Sequence, residues 1–363
     1  MRAKNERRGI FMTQISRPET WNSAVLVELN QPLVVTQLYA PRRLGFGQVL
    51  VKIFVSGVCA SQVNEADGRR GSDPYLPHLL GHEAVGEVVD VGQGVSRFAP
   101  GDKVIAHWRQ TEGIDAGPLT IESDIGPVSA GQITTFGEYS IISENRLTPM
   151  PTGIDTPTGV MLGCSLTTGF GAVTNEAQVS AGESAVIFGL GSVGTAVLKT
   201  LQLAGAHPVG VVDISPQKVA LAKEYGADVV VDLSSASSSQ SDFVADELGF
   251  RPDVVFECTG NKDAIEAAYD LLHNSGRLVL VGVPRKDTPA SLDTLGLHLG
   301  KRIIGSHGGS TVPSRDIPRI AGLVRDGLLE TIDIAATTIT LSEVNEGLNL
   351  LRKGTLGRVL IQM

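Results

Sequence analysis

The sequence contains little cysteine: Cys59, Cys164 and Cys258 are the three in a chain of 363 residues. An odd, sparse set in a chain of this length excludes a disulfide framework, and it predicts a reducing, cytoplasmic location. Each cysteine then needs its own explanation. Cys258 stands at the end of a predicted strand with no histidine near it in sequence, so we interpret it as a packing residue.

Long apolar runs and an excess of positive charge are also missing. Glycine, lysine or aspartate interrupts the longest apolar stretches, which argues against a membrane-spanning helix. The first twenty residues carry five arginines and lysines but no apolar core of a secretory signal. A net charge of −9 argues against a nucleic-acid surface. We expect residues 1–20 to be a flexible N-terminal extension, with Met12 as an alternative start to Met1.

The length and the 42% hydrophobic content suit a globular chain of two domains. Before about residue 165, short alternating runs indicate antiparallel strands, and residues 107–135 form a long polar excursion of a kind that often has a function. After it, strands alternate with helices, which is typical of a doubly wound parallel sheet. The predicted strands are 184–188, 208–212, 228–232, 253–257 and 277–282. The predicted helices are 192–204, 216–225 and 262–273, with a solvated loop at 234–241.

The most specific motif is the glycine-rich turn after the strand 184–188. Its first glycine permits a tight turn, its second lets the backbone approach a pyrophosphate, and its third lets helix and strand pack closely. Asp213 ends the next strand, nineteen residues beyond the last glycine, where its carboxylate can accept the ribose hydroxyls of NAD. Ile214 and Ser215 follow, so no arginine there would hold the 2′-phosphate of NADP. The predicted NAD contacts are Gly189, Gly191, Ser192, Val193, Gly194 and Asp213.

Several short runs resemble, in order, the zinc-containing alcohol dehydrogenases of the medium-chain dehydrogenase/reductase family. They are Gly57-Val58-Cys59, Gly81-His82-Glu83, Gly101-Asp102-Lys103-Val104, Gly163-Cys164 and the glycine turn. The resemblance covers nearly the whole chain. It implies an α/β protein with a GroES-like β-barrel catalytic domain (21–165, completed by 304–363) and a Rossmann NAD-binding domain (166–303). It also implies an active site in the cleft between them.

The same resemblance implies a catalytic zinc held by Cys59, His82 and Cys164, with Glu83 able to approach or exchange onto the metal. A Cys₂His set leaves the fourth position open for water or substrate. Residues 105–145 contain no cysteine, so we expect one catalytic zinc and no structural zinc. The family's four-cysteine lobe is therefore replaced, which weakens inference about its subunit interface. We nevertheless expect a homo-oligomer, either a dimer or a tetramer.

Other residues carried over by the resemblance concern the proton and the cofactor. Ser61 is the expected first relay for the substrate proton. Gln62 stands where an aspartate often orients the histidine ligand, so a neutral amide is expected to be a weaker orienting group. Asn64 stands where a histidine often ends the relay, so the proton is expected to leave through the nicotinamide ribose hydroxyl and water or through another group. The remaining predicted cofactor contacts are Lys218, Thr259, Val283 and Arg358.

The predicted substrate wall is polar: His107 and Trp108 stand where the family has apolar side chains, and Arg109 follows them as a further predicted substrate contact. An indole can stack on a ring while the cations bond hydroxyls, which favours a sugar, polyol or cyclitol as the small-molecule substrate. Alternatively, Arg109 and Gln110 point to solvent. The predicted function is zinc- and NAD(H)-dependent oxidation of a polar secondary alcohol. The alternatives are a zinc-free quinone or enoyl reductase of the same superfamily and a non-catalytic NAD-binding protein of this fold.

Overall fold

The computed structural model describes residues 16–235, 240–331, 337–354 and 357–363, which form two lobes joined around a cleft. Residues 1–15 of the expected N-terminal extension lie outside the described residues. Arg17 forms an ion pair with Asp90 at 2.8 Å, and the first strand begins at Thr20. Residues 17–20 are therefore part of the fold rather than of an extension.

The first lobe is built almost entirely of strands. They are β1 (Thr20–Leu26), β2 (Val34–Tyr39), β3 (Gln48–Val58), β4 (His78–Leu79), β5 (Glu83–Val91), β6 (Lys103–His107), β7 (Leu119–Ile121), β8 (Val128–Gly131), β9 (Tyr139–Ser143) and β10 (Leu147–Pro149). One helix, α1 (Ala60–Ala66), follows β3 directly. Two sheets result. One has the order β2-β1-β4-β8-β7, and the other, completed by two strands from the C-terminus, has a barrel-like arrangement in which β9 also pairs with β3.

The polar excursion at 107–135 contains the antiparallel hairpin β7–β8. Its strand β8 pairs in parallel with β4, at His78 and Ser129, so the hairpin extends the first sheet. The segment is thus a sheet extension rather than a bare loop. The buried side chains Ile121, Val128 and Ala130 anchor it in the core.

The second lobe alternates strands and helices. Its strands are β11 (Ala185–Phe188), β12 (Val209–Asp213), β13 (Val229–Asp232), β14 (Val254–Glu257), β15 (Arg277–Leu280) and β16 (Arg302–Gly305). The helices α2 (Thr156–Gly163) and α3 (Ser165–Gly171), with a π-helical turn at 172–177, lead into the lobe. Its own helices are α4 (Ser192–Ala204), α5 (Pro216–Glu224), α6 (Gln240–Leu248), α7 (Lys262–Leu271) and α8 (Leu295–His298).

All six strands of the second lobe are parallel, in the order β13-β12-β11-β14-β15-β16. This is the doubly wound order with its switch point between β11 and β14, where ligands bind at the carboxyl ends of the strands. The strands β11 and β14 are buried along their whole length, as a sheet covered by helices on both faces requires. The predicted fold class is confirmed. The sheet continues to Gly305, two residues beyond the predicted domain boundary.

The C-terminal segment returns to the first lobe. It contains α9 (Pro313–Arg325), β17 (Thr337–Thr340), α10 (Val344–Arg352) and β18 (Val359–Gln362). The strand β18 pairs antiparallel with β3 and parallel with β17, closing the second sheet of the first lobe. Among the described residues, no helix is both long and apolar enough to cross a membrane.

Candidate active site

Three potential metal ligands converge where the two lobes meet. The ligand atoms of Cys59, His82 and Cys164 all lie within 4.8 Å of one another. They come from three places: the end of β3, the turn before β5 and the junction of α2 and α3. Two sulfurs and one imidazole form a donor set that suits zinc.

The start of α1 fixes the position of Cys59. Cys59 is the N-cap of that short helix, and its backbone N–H donates to Oε1 of Gln62 at 2.9 Å. The side chain of Gln62 is buried, and its amide nitrogen also contacts Nδ1 of His82. Gln62 therefore positions two of the three ligands at once. The sequence predicted a weaker orienting group here, and the structure shows that it nevertheless contacts the ring.

A left-handed glycine aims His82 into the cluster. Gly81 has φ +94°, and a Cβ there would lie 2.4 Å from Oγ1 of Thr135. The Nε2 of His82 is buried and has no hydrogen-bond partner in the described part of the chain. A buried, unpaired ring nitrogen on a histidine clustered with two cysteines fits a metal ligand, because such an atom otherwise bears a desolvation penalty. Ser61, the predicted relay, places its Oγ 3.5 Å from Nδ1 of the same ring.

Cys164 occupies the kink between two helices. It is both the C-cap of α2 and the N-cap of α3, with φ −147° and ψ −75°. The preceding Gly163 allows the kink to approach the β5–β6 pair, since a Cβ there would lie 2.7 Å from the Ala106 carbonyl oxygen. A hydrogen bond from the Cys164 thiol lowers the pKa of Cys59 well below its usual range and raises the pKa of Cys164. A lowered pKa favours the thiolate form of Cys59, which is the form that binds metal.

A buried ion pair lies directly behind the cluster. The Arg358 guanidinium contacts Oε1 of Glu83 and donates to Oγ of Ser165 at 3.0 Å. Gly57 makes room for it, because a Cβ there would lie 2.7 Å from both charged groups. Within the described part of the chain, Oε2 of Glu83 and Nε of Arg358 are buried and have no hydrogen-bond partner. Glu83 therefore keeps an unpaired oxygen next to the ligand His82 in sequence, and Arg358 is also among the residues that line the cleft cavity.

One cavity of about 200 Å³ joins the metal cluster to the glycine turn. Cys59 lines it from the first lobe, and Gly191, Ser192, Val193 and Gly194 line it from the second, together with Lys218 and Arg358. Nothing lies within 4 Å of a Cβ placed on Gly191, whereas one on Gly194 would lie 2.0 Å from the Gly189 carbonyl. The second glycine is therefore open to a ligand and the third is a packing glycine, as predicted from the motif.

The other predicted cofactor residues lie around the same edge of the sheet. Asp213 ends β12, and its carboxylate accepts the backbone N–H groups of Leu190 and Ser215 at 2.8 and 2.9 Å. Thr259 lies against Gly189, 2.5 Å from the place of a Cβ there. Val283 follows β15, and its side chain is exposed. Cys258 packs beneath the turn against the apolar core and also lines the cavity.

Comparison with known proteins agrees with this geometry. Residues 45–152 match the alcohol dehydrogenase GroES-like domain, and residues 192–325 match the zinc-binding dehydrogenase domain. Alcohol dehydrogenase 2 of Zea mays is 30% identical and aligns over 94% of this chain and 97% of its own. The chain belongs to the zinc-containing alcohol dehydrogenases of the medium-chain dehydrogenase/reductase family.

Other members of the family show the same extent of likeness. S-(hydroxymethyl)glutathione dehydrogenase of Escherichia coli O1:K1 is 30% identical over 94% of this chain and 99% of its own. A solved alcohol dehydrogenase zinc-binding domain protein from Burkholderia ambifaria superposes with a TM-score of 0.85, at 26% identity, covering 95% of this chain and 99% of its own. The prediction of an alcohol dehydrogenase is confirmed, and the intact Cys₂His set argues against a zinc-free reductase.

Two residues that were predicted to bind substrate in this dehydrogenase are buried and form hydrogen bonds within the protein instead. His107 is fully buried, with Nδ1 2.8 Å from the Arg109 carbonyl and Nε2 2.9 Å from Oγ1 of Thr148. Burial lowers the pKa of His107 to about 3, so the ring is neutral. Both ring nitrogens of His107 already have hydrogen-bond partners, so neither nitrogen can bond a substrate hydroxyl. It stabilises the end of β6 instead.

Arg109 is likewise buried rather than directed at substrate or solvent. Its guanidinium donates to the Gly308 carbonyl at 2.9 Å and to Oγ1 of Thr168 at 3.2 Å, and it also contacts Oγ1 of Thr167. The solvent alternative holds only for the exposed Gln110. Arg109 thus joins the end of β6 to α3 and to the turn at 308–310.

Replacing Arg109 by alanine in this dehydrogenase should destabilise the fold by about 2–4 kcal/mol, since several buried acceptors would lose their donor. The neighbouring Gln110→Ala is the matched control and should change stability by less than about 0.5 kcal/mol. Chemical denaturation of both variants measures the difference. Equal stability of the two would show that Arg109 does not carry these contacts in solution.

Trp108 is half-buried, and the Arg109 guanidinium carbon lies 5.5 Å from the centroid of its ring. Glu83 pairs with His107 in the antiparallel β5–β6 ladder. Trp108 is the residue after His107 and His82 is the residue before Glu83, so the two lie at the same end of this strand pair. Its ring meets that of His307 edge-on, with centroids 4.9 Å apart and planes at 90°. His307 is exposed, and within the described residues neither of its ring nitrogens has a hydrogen-bond partner. No local pattern in the sequence indicates His307, because this residue approaches Trp108 from about two hundred residues away along the chain.

Proposed function

We propose that this alcohol dehydrogenase uses NAD(H) and one catalytic zinc to oxidise a polar secondary alcohol of the sugar, polyol or cyclitol type. The observation that carries the chemistry is the single cavity that connects Cys59 of the ligand cluster with the glycine turn. A hydride transfer requires cofactor and activated alcohol to meet, and this cavity is where they would do so.

The chain's own residues would divide the work as follows. Cys59, His82 and Cys164 would hold zinc, which supplies a Lewis acid when bound, while Gln62 holds Cys59 and His82 in place. The half-buried Ser61 hydroxyl would accept the proton of the substrate hydroxyl while it passes its own proton on, so that Ser61 stays neutral. Asn64 has no titratable group, so the outgoing proton would pass to solvent water.

On the cofactor side, the glycine turn and the N-terminus of α4 would hold the pyrophosphate, and Asp213 the ribose diol. Lys218 lines the same cavity from α5. Thr259 and Val283, at the ends of β14 and β15, would contact the nicotinamide half. Arg358, which lines the same cavity, would donate to the pyrophosphate while keeping its ion pair with Glu83.

Substrate selection would rest on Trp108 and His307 rather than on His107 and Arg109. The half-buried indole offers a face for a saturated ring, and the His307 imidazole offers a donor or acceptor for one hydroxyl. A second candidate is an aryl alcohol. It is favoured by the engagement of His107 and Arg109 inside the protein, which leaves the indole as the main recognition surface.

We expect kcat/KM for cyclitols and polyols to exceed that for simple aliphatic alcohols by about tenfold or more. Trp108→Ala should strongly lower kcat/KM for cyclitols and polyols. His307→Ala should lower kcat/KM for polyols alone, because only polyols use the hydrogen bond. The exposed Gln110→Ala is the control. Higher efficiency on aliphatic alcohols, unaffected by either substitution, would refute the polyol proposal. Aryl alcohols that depend on Trp108 but not on His307 would favour the second candidate.

We also propose a homo-oligomer in a reducing, cytoplasmic compartment. All three cysteines are free, which suits such a compartment. The strand β16 is an edge strand, and exposed apolar side chains surround it: Leu295, Leu297, Leu299 and Ile303. Such an edge is a site for pairing with a second copy.

Replacing the edge residue Ile303 by lysine should shift the protein to smaller species, because a charge would be desolvated in the interface. Light scattering after size-exclusion chromatography measures the mass, and Val312→Lys, an exposed apolar site elsewhere, is the control. An unchanged mass for Ile303→Lys would place the interface elsewhere.

A further inference from the structure

A second cluster of potential metal ligands lies outside the cleft cavity, in the first lobe. Glu65 of α1, Asp73 of the following loop and His78 of β4 place their ligand atoms within 4.8 Å of one another. The side chains of His78 and Asp73 are 10% and 16% exposed, so these groups are largely removed from water. None of these three residues belongs to the Cys59–His82–Cys164 cluster or lines the cleft cavity.

The backbone fixes which nitrogen of His78 carries hydrogen. Nδ1 lies 2.8 Å from the Leu79 carbonyl oxygen, which can only accept, so Nδ1 is the donor. In the neutral ring, Nε2 then presents a lone pair. That lone pair faces Oδ2 of Asp73 at 2.9 Å and Oε1 of Glu65 at 4.0 Å. Three acceptors therefore converge, and a cation or a proton must lie between them.

The spacing fits either a shared proton or a metal cation, and the donor set is one that binds metal cations. Two ligand atoms each about 2.1 Å from a metal and about 90° apart are separated by about 3 Å, close to the His78–Asp73 distance. One imidazole and two carboxylates suit a hard divalent ion such as Mn²⁺. A ligating histidine characteristically donates its other N–H to a carbonyl, as His78 does. The nearby Arg70 lies 4.0 Å from the outer oxygen of Glu65, away from His78.

We propose that Glu65, Asp73 and His78 form a second divalent-cation site, separate from the Cys59–His82–Cys164 cluster. Its role would be to hold the loop between α1 and β4. Arg352 of α10 forms an ion pair with Asp67 at the start of this loop, with 2.7 Å between the guanidinium nitrogen and Oδ1 of Asp67. Further along, the Arg69 carbonyl accepts the backbone N–H of Lys286 from the second lobe at 2.9 Å. A cation on Asp73 would thereby rigidify a loop that contacts the opposite wall of the cleft.

The test is a Mn²⁺ titration of the zinc-loaded enzyme, with free Mn²⁺ followed by electron paramagnetic resonance. Mn²⁺ prefers oxygen and nitrogen ligands, so it should leave the thiolate site occupied by zinc. We expect about one saturable Mn²⁺ per chain. Asp73→Asn and Glu65→Gln should each weaken binding at least about tenfold. Glu122→Gln, an exposed carboxylate of the same lobe, should bind Mn²⁺ like the unmodified enzyme.

Two outcomes would overturn the proposal: no saturable Mn²⁺ binding, or binding that Asp73→Asn and Glu65→Gln leave unchanged. A proton on His78 would then balance the two carboxylates. Glu65 is the most exposed of the three side chains, at 29%, so Glu65→Gln should fold even if Asp73→Asn does not. Because the readout is Mn²⁺ binding rather than turnover, its failure would leave the proposed catalytic function untouched.

Discussion

His82→Ala should lower kcat by about a thousandfold or more while changing the Kd for NAD⁺ by less than about threefold. Removing one of three ligands costs the Lewis-acid contribution of the metal, which is worth several kcal/mol. The glycine turn belongs to a different lobe, so the cofactor should still bind. Cys59→Ser should behave in the same way, because a hydroxyl is a poor replacement for a thiolate on zinc.

A steady-state turnover assay measures the change in kcat, and a fluorescence titration with the cofactor measures the change in the Kd for NAD⁺. The matched control is His207→Ala, a histidine whose side chain is 73% exposed, far from the cluster in sequence. It should keep full turnover and normal zinc content. If His82→Ala retained turnover with its zinc lost, the ligand cluster would not be the catalytic centre.

The second large effect concerns cofactor choice. The unmodified enzyme should prefer NAD over NADP by about a hundredfold or more, since Asp213 would face the 2′-phosphate and like charges cost several kcal/mol. The N–H groups of Leu190 and Ser215 hold its carboxylate rigidly at the end of β12. Asp213→Ala should therefore reduce the preference by about tenfold or more.

The neighbouring strand provides the control for this prediction. Asp232 stands beside Asp213 in the parallel register, at the end of β13. Asp232→Ala also removes one negative charge, but one strand further from the glycine turn. It should therefore reduce the preference for NAD over NADP far less than Asp213→Ala does. The measurement is the ratio of kcat/KM for the two cofactors. Use of NADP by the unmodified enzyme at least as well as NAD would refute the assignment of Asp213.

Where local chemistry decided the structure, the sequence was sufficient to predict it. The helix expected at 192–204 is α4 with those bounds, because the glycine turn and the apolar period both mark it. In contrast, α6 begins at Gln240, inside a serine-rich run that we interpreted as a loop. Only Val244 and Leu248 of that helix are buried, so its apolar pattern is too weak to be seen in sequence.

The features that the sequence could not predict depend on long-range contacts. Arg109 is a structural residue because its partners Thr167, Thr168 and Gly308 lie 58 to 199 residues away. The hairpin β7–β8 forms in a polar segment because β4 provides a sheet edge. The convergence of Glu65, Asp73 and His78 follows no known ligand spacing. It arises because the loop that follows α1 brings Asp73 and His78 back towards Glu65.

Zinc removal and titration test the central claim most directly. The enzyme would be stripped of metal with a chelator, shown to retain its fold, and assayed for NAD⁺ reduction by alcohol as zinc is returned. We predict no turnover without zinc and a linear recovery that reaches its plateau at about one zinc per chain, with no recovery in Cys59→Ser. Full turnover in the metal-free enzyme, or a plateau that requires two tightly bound zincs, would contradict the account.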